Sequence, residues 1–233
     1  MEKNTSKNKR RKKKRTSYYT ILIPVFILLL AGFIPGLLIG RKAAQKAAVR
    51  SQGDCYQDAS TLQRLDMLTT APLPDWIDSQ IIPLDGVSRN GTLLGGFNDI
   101  VIHYVGNPNT TAQQNHDFYC NPESEVSSHF IVGLDGEIIQ CIPLNEMSAA
   151  SNWRNRDTIS IEVCHPDETG KFNEATYQSL VKLVSWLMNT GGLDTSHIIR
   201  HYDVTGKECP VYYVQNEDAW LQFKADVTAY KTK

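Results

Sequence analysis

Apolar and polar residues alternate along this 233-residue chain in short runs that predict a succession of strands and helices. A β-branched run ends at Tyr104, and Ile159, Ile161 and Val163 alternate with polar residues, as strands require. An Asp-Gly pair at 135–136 is typical of a hairpin turn between two further strands. The predicted strands are Ile100–Tyr104, Ser128–Val132, Glu137–Ile142, Thr158–Cys164 and Ile198–Ile199.

Helical periodicity predicts three helices between and after these strands. They are a short helix capped by Thr110 or Thr111 and ending near Tyr119, a long helix from Asn173 or Thr176 to Gly191, and a closing helix over Asp218–Tyr230. The long helix has a core stripe of leucine and valine residues, namely Leu180, Leu183, Val184 and Leu187. The alternation predicts an α/β fold, a single domain with a central mixed β-sheet flanked by helices.

The first 40 residues follow a different pattern. Residues 1–15 include nine Lys or Arg and one acid, and residues 16–40 carry no charge. A run of that length spans a hydrocarbon core of about 30 Å, and the excess of basic residues before it favours a cytoplasmic N-terminus. A cleaved signal peptide is the alternative, but its apolar segment is usually about 7–15 residues long. We favour one uncleaved N-terminal transmembrane helix.

These patterns divide the chain into four parts. Residues 1–17 form a basic cytoplasmic tail, 18–40 a transmembrane signal anchor, 41–75 a stalk or linker, and 76–233 an extracytoplasmic domain with its core at about 97–226. Within the stalk, leucines at helical spacing over Thr61–Leu68 predict either a short docking helix or a weakly structured segment. The expected location is the cell membrane, with a monomeric domain outside.

Charge is distributed unevenly along the chain. Of 24 basic and 25 acidic residues, residues 1–50 hold 13 and 1, so residues 51–233 hold 11 and 24 and carry a net charge of −13. A surface with this balance repels phosphate backbones, which excludes nucleic acid as the ligand of the outer part.

Candidate metal ligands lie near the end of the chain. His201 and Cys209 are ligand types that zinc prefers, and Gly206 between them allows the backbone to fold back sharply. His103, near the end of the first predicted strand, completes a three-ligand set that leaves one position open, as in catalytic zinc sites. Taken alone, each of these residues is more often a packing residue. Cys164 is an alternative to Cys209 as the third ligand.

Glu162 and Lys207 are the candidate catalytic residues. A carboxylate in the middle of an apolar strand is costly unless it is paired or functional. Beside a zinc-activated water, Glu162 is suited to act as the general base, and Lys207 to stabilise charge on the substrate oxygen. The alternatives are a salt-bridged glutamate and a solvated lysine.

Several motifs occur in the order found in a known family. They are His103, Ser127-Ser128-His129-Phe130-Ile131-Val132 followed by Asp135-Gly136, Ile159-Ser160-Ile161-Glu162, and His201 followed by Lys207, Cys209 and Pro210. Residues 97–226 thereby resemble the zinc-dependent N-acetylmuramoyl-L-alanine amidase family, which includes amidase-type phage endolysins and is similar in fold to peptidoglycan-recognition proteins.

The resemblance implies a cell-wall hydrolase with Zn²⁺ as cofactor and peptidoglycan as substrate, and the predicted anchor would hold this hydrolase at the membrane. The bond cleaved would be the amide between N-acetylmuramic acid and L-alanine. The implied roles are zinc ligation by His103, His201 and Cys209, acid–base catalysis by Glu162 and transition-state stabilisation by Lys207.

Some positions depart from the family pattern or leave alternatives open. Some relatives have a catalytic tyrosine where this chain has Ser128, so proton transfer is expected to depend on Glu162. His129 is expected to be structural or to lie behind the ligands. The loop residues Asn152, Trp153 and Arg154 are expected to line the substrate groove, with packing as the alternative for Trp153.

The five cysteines all follow the predicted anchor. If Cys209 binds zinc, the other four allow three full pairings, of which Cys120 with Cys141 is one candidate disulfide.

The sequence leaves two other functions open. One is a membrane-tethered module that recognises peptidoglycan without cutting it, and the other is a zinc peptidase that cuts within the stem peptide.

Overall fold

The computed structural model describes residues 59–84 and 86–230. Within these residues, no helix is both long enough and apolar enough to cross a membrane. The predicted tail at residues 1–17 and the predicted anchor at 18–40 lie outside them. So does the first part of the predicted stalk.

Six strands form one mixed sheet around which the helices pack. The strands are β1 (Asp78–Ser79), β2 (Asp99–Ile102), β3 (Phe130–Val132), β4 (Ile138–Gln140), β5 (Thr158–Val163) and β6 (Ile198–Arg200). Their order across the sheet is β1-β4-β3-β5-β2-β6. Only the β3–β4 hairpin is antiparallel among these pairings. The expected mixed α/β sheet is confirmed, with both hairpin strands shorter than predicted.

Six α-helices accompany the sheet in the described part of the chain. They are α1 (Ala59–Thr70), α2 (Ala112–Tyr119), α3 (Glu174–Gly191), α4 (His201–Thr205), α5 (Val211–Gln215) and α6 (Glu217–Ala229). The side chain of Thr111 caps α2 in a capping box with Gln114, and Asn173 caps α3 through the backbone nitrogen of Thr176. Gly192 ends α3 in the left-handed conformation that glycine adopts without strain.

The alternating side chains of β5 separate two hydrophobic clusters. Ile159, Ile161 and Val163 are fully buried in the larger one, together with the predicted leucine and valine stripe of α3. Cys164 belongs to the smaller cluster, which includes Tyr119 of α2. Because His103 follows Ile102 of the larger cluster, strand alternation directs it to the same side as Glu162.

Helix α1 is part of this core rather than a loose segment. Leu68 is completely buried against it, and the backbone oxygen of Thr61 accepts a hydrogen bond from the nitrogen of Phe97 at 3.0 Å. Of the two expectations for Thr61–Leu68, the docking helix is observed.

Candidate active site

Three neighbouring parallel strands, β5, β2 and β6, end at the same level. Ile102 of β2 pairs with Ile161 of β5 on one side and Arg200 of β6 on the other. The next residues in the three strands or just beyond them are His103, Glu162 and His201. In α/β sheets, ligands bind at the carboxyl ends of the parallel strands. A crevice opens there because the connections from neighbouring strands leave on opposite sides of the sheet.

His103 is almost completely buried, with 1% of its surface exposed. Its Nδ1 atom lies 3.9 Å from Cys209 Sγ and 3.8 Å from Glu162 Oε1. Its Nε2 atom lies 3.1 Å from Ser151 Oγ on the other side of the ring. The imidazole thus presents Nδ1 to the centre of the site.

His201 begins α4, directly after β6. Its ring centroid is 4.6 Å from that of His103, and its Nε2 atom lies 3.0 Å from Asn152 Oδ1. Because an amide oxygen only accepts hydrogen bonds, Nε2 carries the proton and Nδ1 is left as the lone-pair donor for a ligand.

Cys209 returns to the two histidines through a tight reversal of the chain. Gly206 ends α4 with a φ of 79°, a left-handed conformation suited to glycine. The backbone nitrogen of Tyr202 then donates to the oxygen of Cys209 at 3.0 Å, which closes the reversal. The buried thiol lies beside His103, as the spacing around Gly206 predicts.

One ligand atom each from His103, His201 and Cys209 lie within 4.8 Å of one another. In the part of the chain that the structure describes, no other group of three His, Cys, Asp or Glu residues has this geometry. Cys164 lies outside the group and accepts a hydrogen bond from Asn115 instead. The alternative ligand set with Cys164 is therefore wrong.

The protonation of these three residues suits a zinc ion. Burial, followed by the charges of His201 and Lys207, holds the pKa of His103 well below its usual value. Burial and Lys207 lower the pKa of His201 to about 4, so both rings are neutral ligands at neutral pH. Burial raises the pKa of the Cys209 thiol to about 12, so ligation would displace its proton. Two neutral imidazoles and a thiolate are a donor set that zinc favours.

Glu162 lies beside His103, and its charge also acts on Cys209. Its side chain is 18% exposed, and its Oε2 atom is buried and finds no hydrogen-bond partner among the described residues. Burial raises the pKa of this carboxyl to about 8, against an opposing effect of Lys207. The carboxyl is therefore in an environment that favours holding a proton, as a general acid–base residue requires.

Lys207 has an exposed side chain and lies close enough for its charge to act on the site. That charge lowers the pKa values of Glu162, His103 and His201. The structure thus brings all five candidate site residues into one electrostatic environment.

A groove with a volume of about 400 Å³ opens beside Glu162. Its lining combines polar side chains such as Asn107 and Gln114 with the rings of Phe118 and Tyr119. Phe118 is 54% exposed, which leaves an apolar surface available next to the carboxyl group.

The loop before β5 differs in part from its predicted role. Arg154 is buried and pairs with Asp157 and Asp99, so its expected place in the groove is wrong. It is fixed there because a buried guanidinium needs carboxylate partners. Trp153 packs beside Arg154, with the guanidinium carbon 5.3 Å from its ring centroid. Asn152 contacts His201.

His129 and Ser128 have structural hydrogen bonds. His129 Nε2 lies 2.9 Å from the oxygen of Glu146, and its Nδ1 accepts from the nitrogen of Ser160 at 3.0 Å. Ser128 Oγ donates to the oxygen of Phe130 at 2.8 Å. Both ring nitrogens of His129 therefore form hydrogen bonds with backbone groups rather than with the ligand residues. Of the two expectations for His129, the structural one is observed.

Sequence patterns did not indicate Ser151 and Ser160, which lie behind His103. Ser151 Oγ is 2.8 Å from Ser160 Oγ as well as 3.1 Å from the His103 ring. Serines at a strand and loop have no distinctive spacing, so only the fold shows this contact.

No disulfide joins the cysteines at 120, 141, 164 and 209 within the described residues. The candidate Cys120–Cys141 pairing is absent there, and Cys55 lies outside the described part. Cys141 is buried in the smaller hydrophobic cluster, where burial raises the pKa of its thiol well above the usual value.

The sequence of this chain is also similar to sequences of known proteins. The family model for N-acetylmuramoyl-L-alanine amidase matches residues 97–212, a range that contains all five candidate site residues. The N-acetylmuramoyl-L-alanine amidase BlyA of Bacillus subtilis (strain 168) is 31% identical over 169 residues, covering 64% of this chain and 46% of BlyA. The chain spans about half the length of the curated relatives it matches.

Solved structures show the same fold. A mutant endolysin from Bacillus subtilis is 28% identical, with a TM-score of 0.58 and coverage of 65% of this chain and 97% of the endolysin. The catalytic domain of XlyA is also 28% identical, with a TM-score of 0.57 and coverage of 65% and 98%. The described domain is therefore similar along nearly the whole length of these two structures.

Proposed function

This chain belongs to the N-acetylmuramoyl-L-alanine amidase family, and we propose that it hydrolyses the amide bond between N-acetylmuramic acid and L-alanine in peptidoglycan. The observation that supports this most directly is the convergence of His103, His201 and Cys209 within 4.8 Å, with Glu162 beside His103. The chain spans about half the length of its curated relatives, so their activity is not simply transferred to it. We propose the activity on the residues of this chain.

Zinc fits the donor set, and His103, His201 and Cys209 would hold it. When bound, zinc acts as a Lewis acid that polarises a water molecule and a substrate carbonyl. With three protein ligands, the site keeps an open position, as catalytic rather than structural zinc sites do.

Glu162 moves the proton in the proposed reaction. Its carboxylate takes a proton from the attacking water as the new C–O bond forms at the lactyl carbonyl, and it returns that proton to the amine of L-alanine as the C–N bond breaks. The products are a free lactyl carboxylate and a stem peptide with an L-alanine amino terminus. The buried position of Glu162 suits this shuttle, since burial lowers the cost of holding the proton.

Lys207 supplies positive charge to the carbonyl oxygen as it becomes negative. A cation aimed at developing charge stabilises the transition state more than the ground state, and so it raises kcat. The influence of Lys207 on the pKa of Glu162 supports its proximity to the reacting groups.

The direct test is muropeptide mass spectrometry after the full-length chain has been incubated with purified peptidoglycan. Stem peptides with a free L-alanine amino terminus are expected. Cleavage within the stem peptide would indicate a peptidase instead, and bound but intact glycopeptides would indicate a recognition module. Either result would overturn the proposed reaction.

We further propose that residues 18–40 anchor the chain in the cell membrane with its N-terminus in the cytoplasm. The support is the uncharged run at residues 16–40 after nine basic residues. Alkaline carbonate extraction should leave the wild type in the membrane pellet and release the Leu29→Lys variant, because a charge at the centre of a span is costly. Release of the wild type would contradict the anchor.

A further inference from the structure

Two consecutive residues, Ser151 and Asn152, each contact one of the two ligand histidines. Ser151 Oγ lies 3.1 Å from His103 Nε2, and Asn152 Oδ1 lies 3.0 Å from His201 Nε2. In both rings the contacted nitrogen is Nε2, which leaves Nδ1 as the nitrogen available to a metal. A single dipeptide therefore faces the outer nitrogen of both imidazoles.

Asn152 adopts a backbone conformation that few residues accept. Its φ is 55°, in the left-handed region, where a side chain other than Asn, Asp or Gly is disfavoured. This conformation directs the amide oxygen at His201 while the next residues continue as a 3₁₀-helix. Strained positions of this kind persist where surrounding contacts hold them, and they cluster at functional sites.

The dipeptide is held on both sides by buried contacts. Asn155 Oδ1 accepts from the backbone nitrogens of Ala150 and Ser151, at 3.1 Å and 2.6 Å. Ser151 is completely buried, and its hydroxyl also meets Ser160 Oγ of β5 at 2.8 Å. The contacts to the histidines thus come from a segment with little freedom to move.

We propose that Ser151 and Asn152 are positioning residues for the metal centre, which keep both imidazoles in the Nε2–H tautomer with Nδ1 available for the metal. Outer partners of ligand histidines fix both tautomer and ring orientation, and their loss weakens metal binding. The proposal rests on the zinc site proposed above. It adds two residues, contiguous in sequence, that contact the outer nitrogens of the two ligand imidazoles.

Zinc affinity of the full-length chain, measured by competition with a chromophoric chelator, tests the proposal. In Asn152→Gly, the glycine can keep the left-handed backbone conformation, but the side-chain amide is lost. The variant therefore measures the effect of the hydrogen bond to His201 without adding backbone strain. We expect Asn152→Gly and Ser151→Ala to bind zinc roughly 10- to 100-fold more weakly than the wild type. Asn152→Asp restores an acceptor and should recover most of the affinity.

Ser148→Ala is a matched control. Ser148 is also buried, in the same loop, and its hydroxyl has no hydrogen-bond partner within the described residues. Its removal should leave zinc affinity unchanged. Circular dichroism of each metal-free variant confirms that the comparison is between folded proteins.

A second readout does not depend on metal. Long-range ¹H–¹⁵N spectra of the metal-free wild type should show the Nε2–H tautomer for His103 and His201, with a mixture for His201 in Asn152→Gly. Zinc affinities of Asn152→Gly and Ser151→Ala within twofold of the wild type would overturn the proposal, and so would a failure of Asn152→Asp to recover affinity. A wild type that binds no zinc would instead refute the metal site itself.

Discussion

At the scale of single residues, Glu162 is the group that we propose moves the proton. Its Oε1 atom lies 3.8 Å from His103, and its Oε2 atom is buried. Glu162→Gln keeps the shape but cannot accept the proton from water. We predict that kcat falls by about 10²- to 10⁴-fold, with zinc affinity close to that of the wild type. Activity within tenfold of the wild type, measured on a soluble muropeptide, would exclude Glu162 as the general base.

The contribution proposed for Lys207 is electrostatic, and it can be separated from substrate binding. Lys207→Met retains the length of the side chain and removes its charge. We predict a fall in kcat of about 10²-fold with little change in KM, because the charge acts on the oxygen that becomes negative only in the transition state.

Lys182→Met is the control for that substitution. Lys182 belongs to α3, and its ammonium lies 4.1 Å from the ring centroid of Trp76. Its replacement should leave steady-state kinetics unchanged. Equal losses in both variants would show that the effect of Lys207 is general rather than local.

The convergence of His103, His201 and Cys209 could be predicted from sequence because its signals are local. The spacing of His201 and Cys209 around Gly206 and the strand before His103 depend only on neighbouring residues. Ser151 and Asn152 could not be predicted in the same way, because their partners lie 48 and 49 residues away in the chain. Such contacts depend on how β2, β5 and β6 are ordered in the sheet.

At the scale of elements, long periodic segments were predictable, whereas β1, α4 and α5, which are among the shortest, were not. The strand β5 and the helix α3 have strong apolar periodicity, and both appear close to their predicted limits. The strand β1 has two residues, and α4 and α5 have five each. Segments of that length show no period, so tertiary packing decides their conformation.

Helix α1 offers a test of its packing on the core. Leu68 is completely buried, whereas Leu62 of the same helix is 52% exposed. Leu68→Ala should lower the free energy of unfolding by about 2–5 kcal/mol because it leaves a cavity. Leu62→Ala should change it by less than about 0.5 kcal/mol. Urea unfolding of both variants makes the comparison, and similar values for the two would contradict the docked helix.

An ion pair at the amino-terminal end of β2 predicts a pH dependence of stability. His197 Nδ1 lies 3.0 Å from Asp99 Oδ1, and this hydrogen bond raises the pKa of His197. A raised pKa means that folding favours the charged ring. The stabilisation is therefore present below the pKa of the unfolded state and is lost as pH rises through the folded-state value.

The variant His197→Gln tests this sign. Urea unfolding should show that it is less stable than the wild type at about pH 5.5, and that the difference shrinks by about pH 9. Partial exposure of the ring keeps the effect small. A difference that is independent of pH would show that His197 contributes through packing alone.

At the scale of the whole molecule, the length of the linker and the charge of residues 51–233 are compatible with a domain held at the membrane by the proposed anchor. The proposed anchor ends at residue 40 and α1 begins at Ala59, so 18 residues connect them. Fully extended, that linker would span at most about 65 Å. The net charge of −13 in residues 51–233 is compatible with solubility outside the membrane rather than with binding to a polyanion.

Zinc add-back, with purified peptidoglycan as substrate, tests whether this chain is a zinc-dependent amidase. The release of L-alanine amino termini is measured at each step. The full-length chain is first stripped with a chelator, and zinc is then titrated in. We expect activity to be lost on stripping and to return to saturation at one zinc per chain. In the Glu162→Gln variant, zinc should bind without restoring activity. Release of L-alanine amino termini by the stripped chain, or zinc binding without any such release in the wild type, would show that the proposed zinc-dependent hydrolysis is wrong.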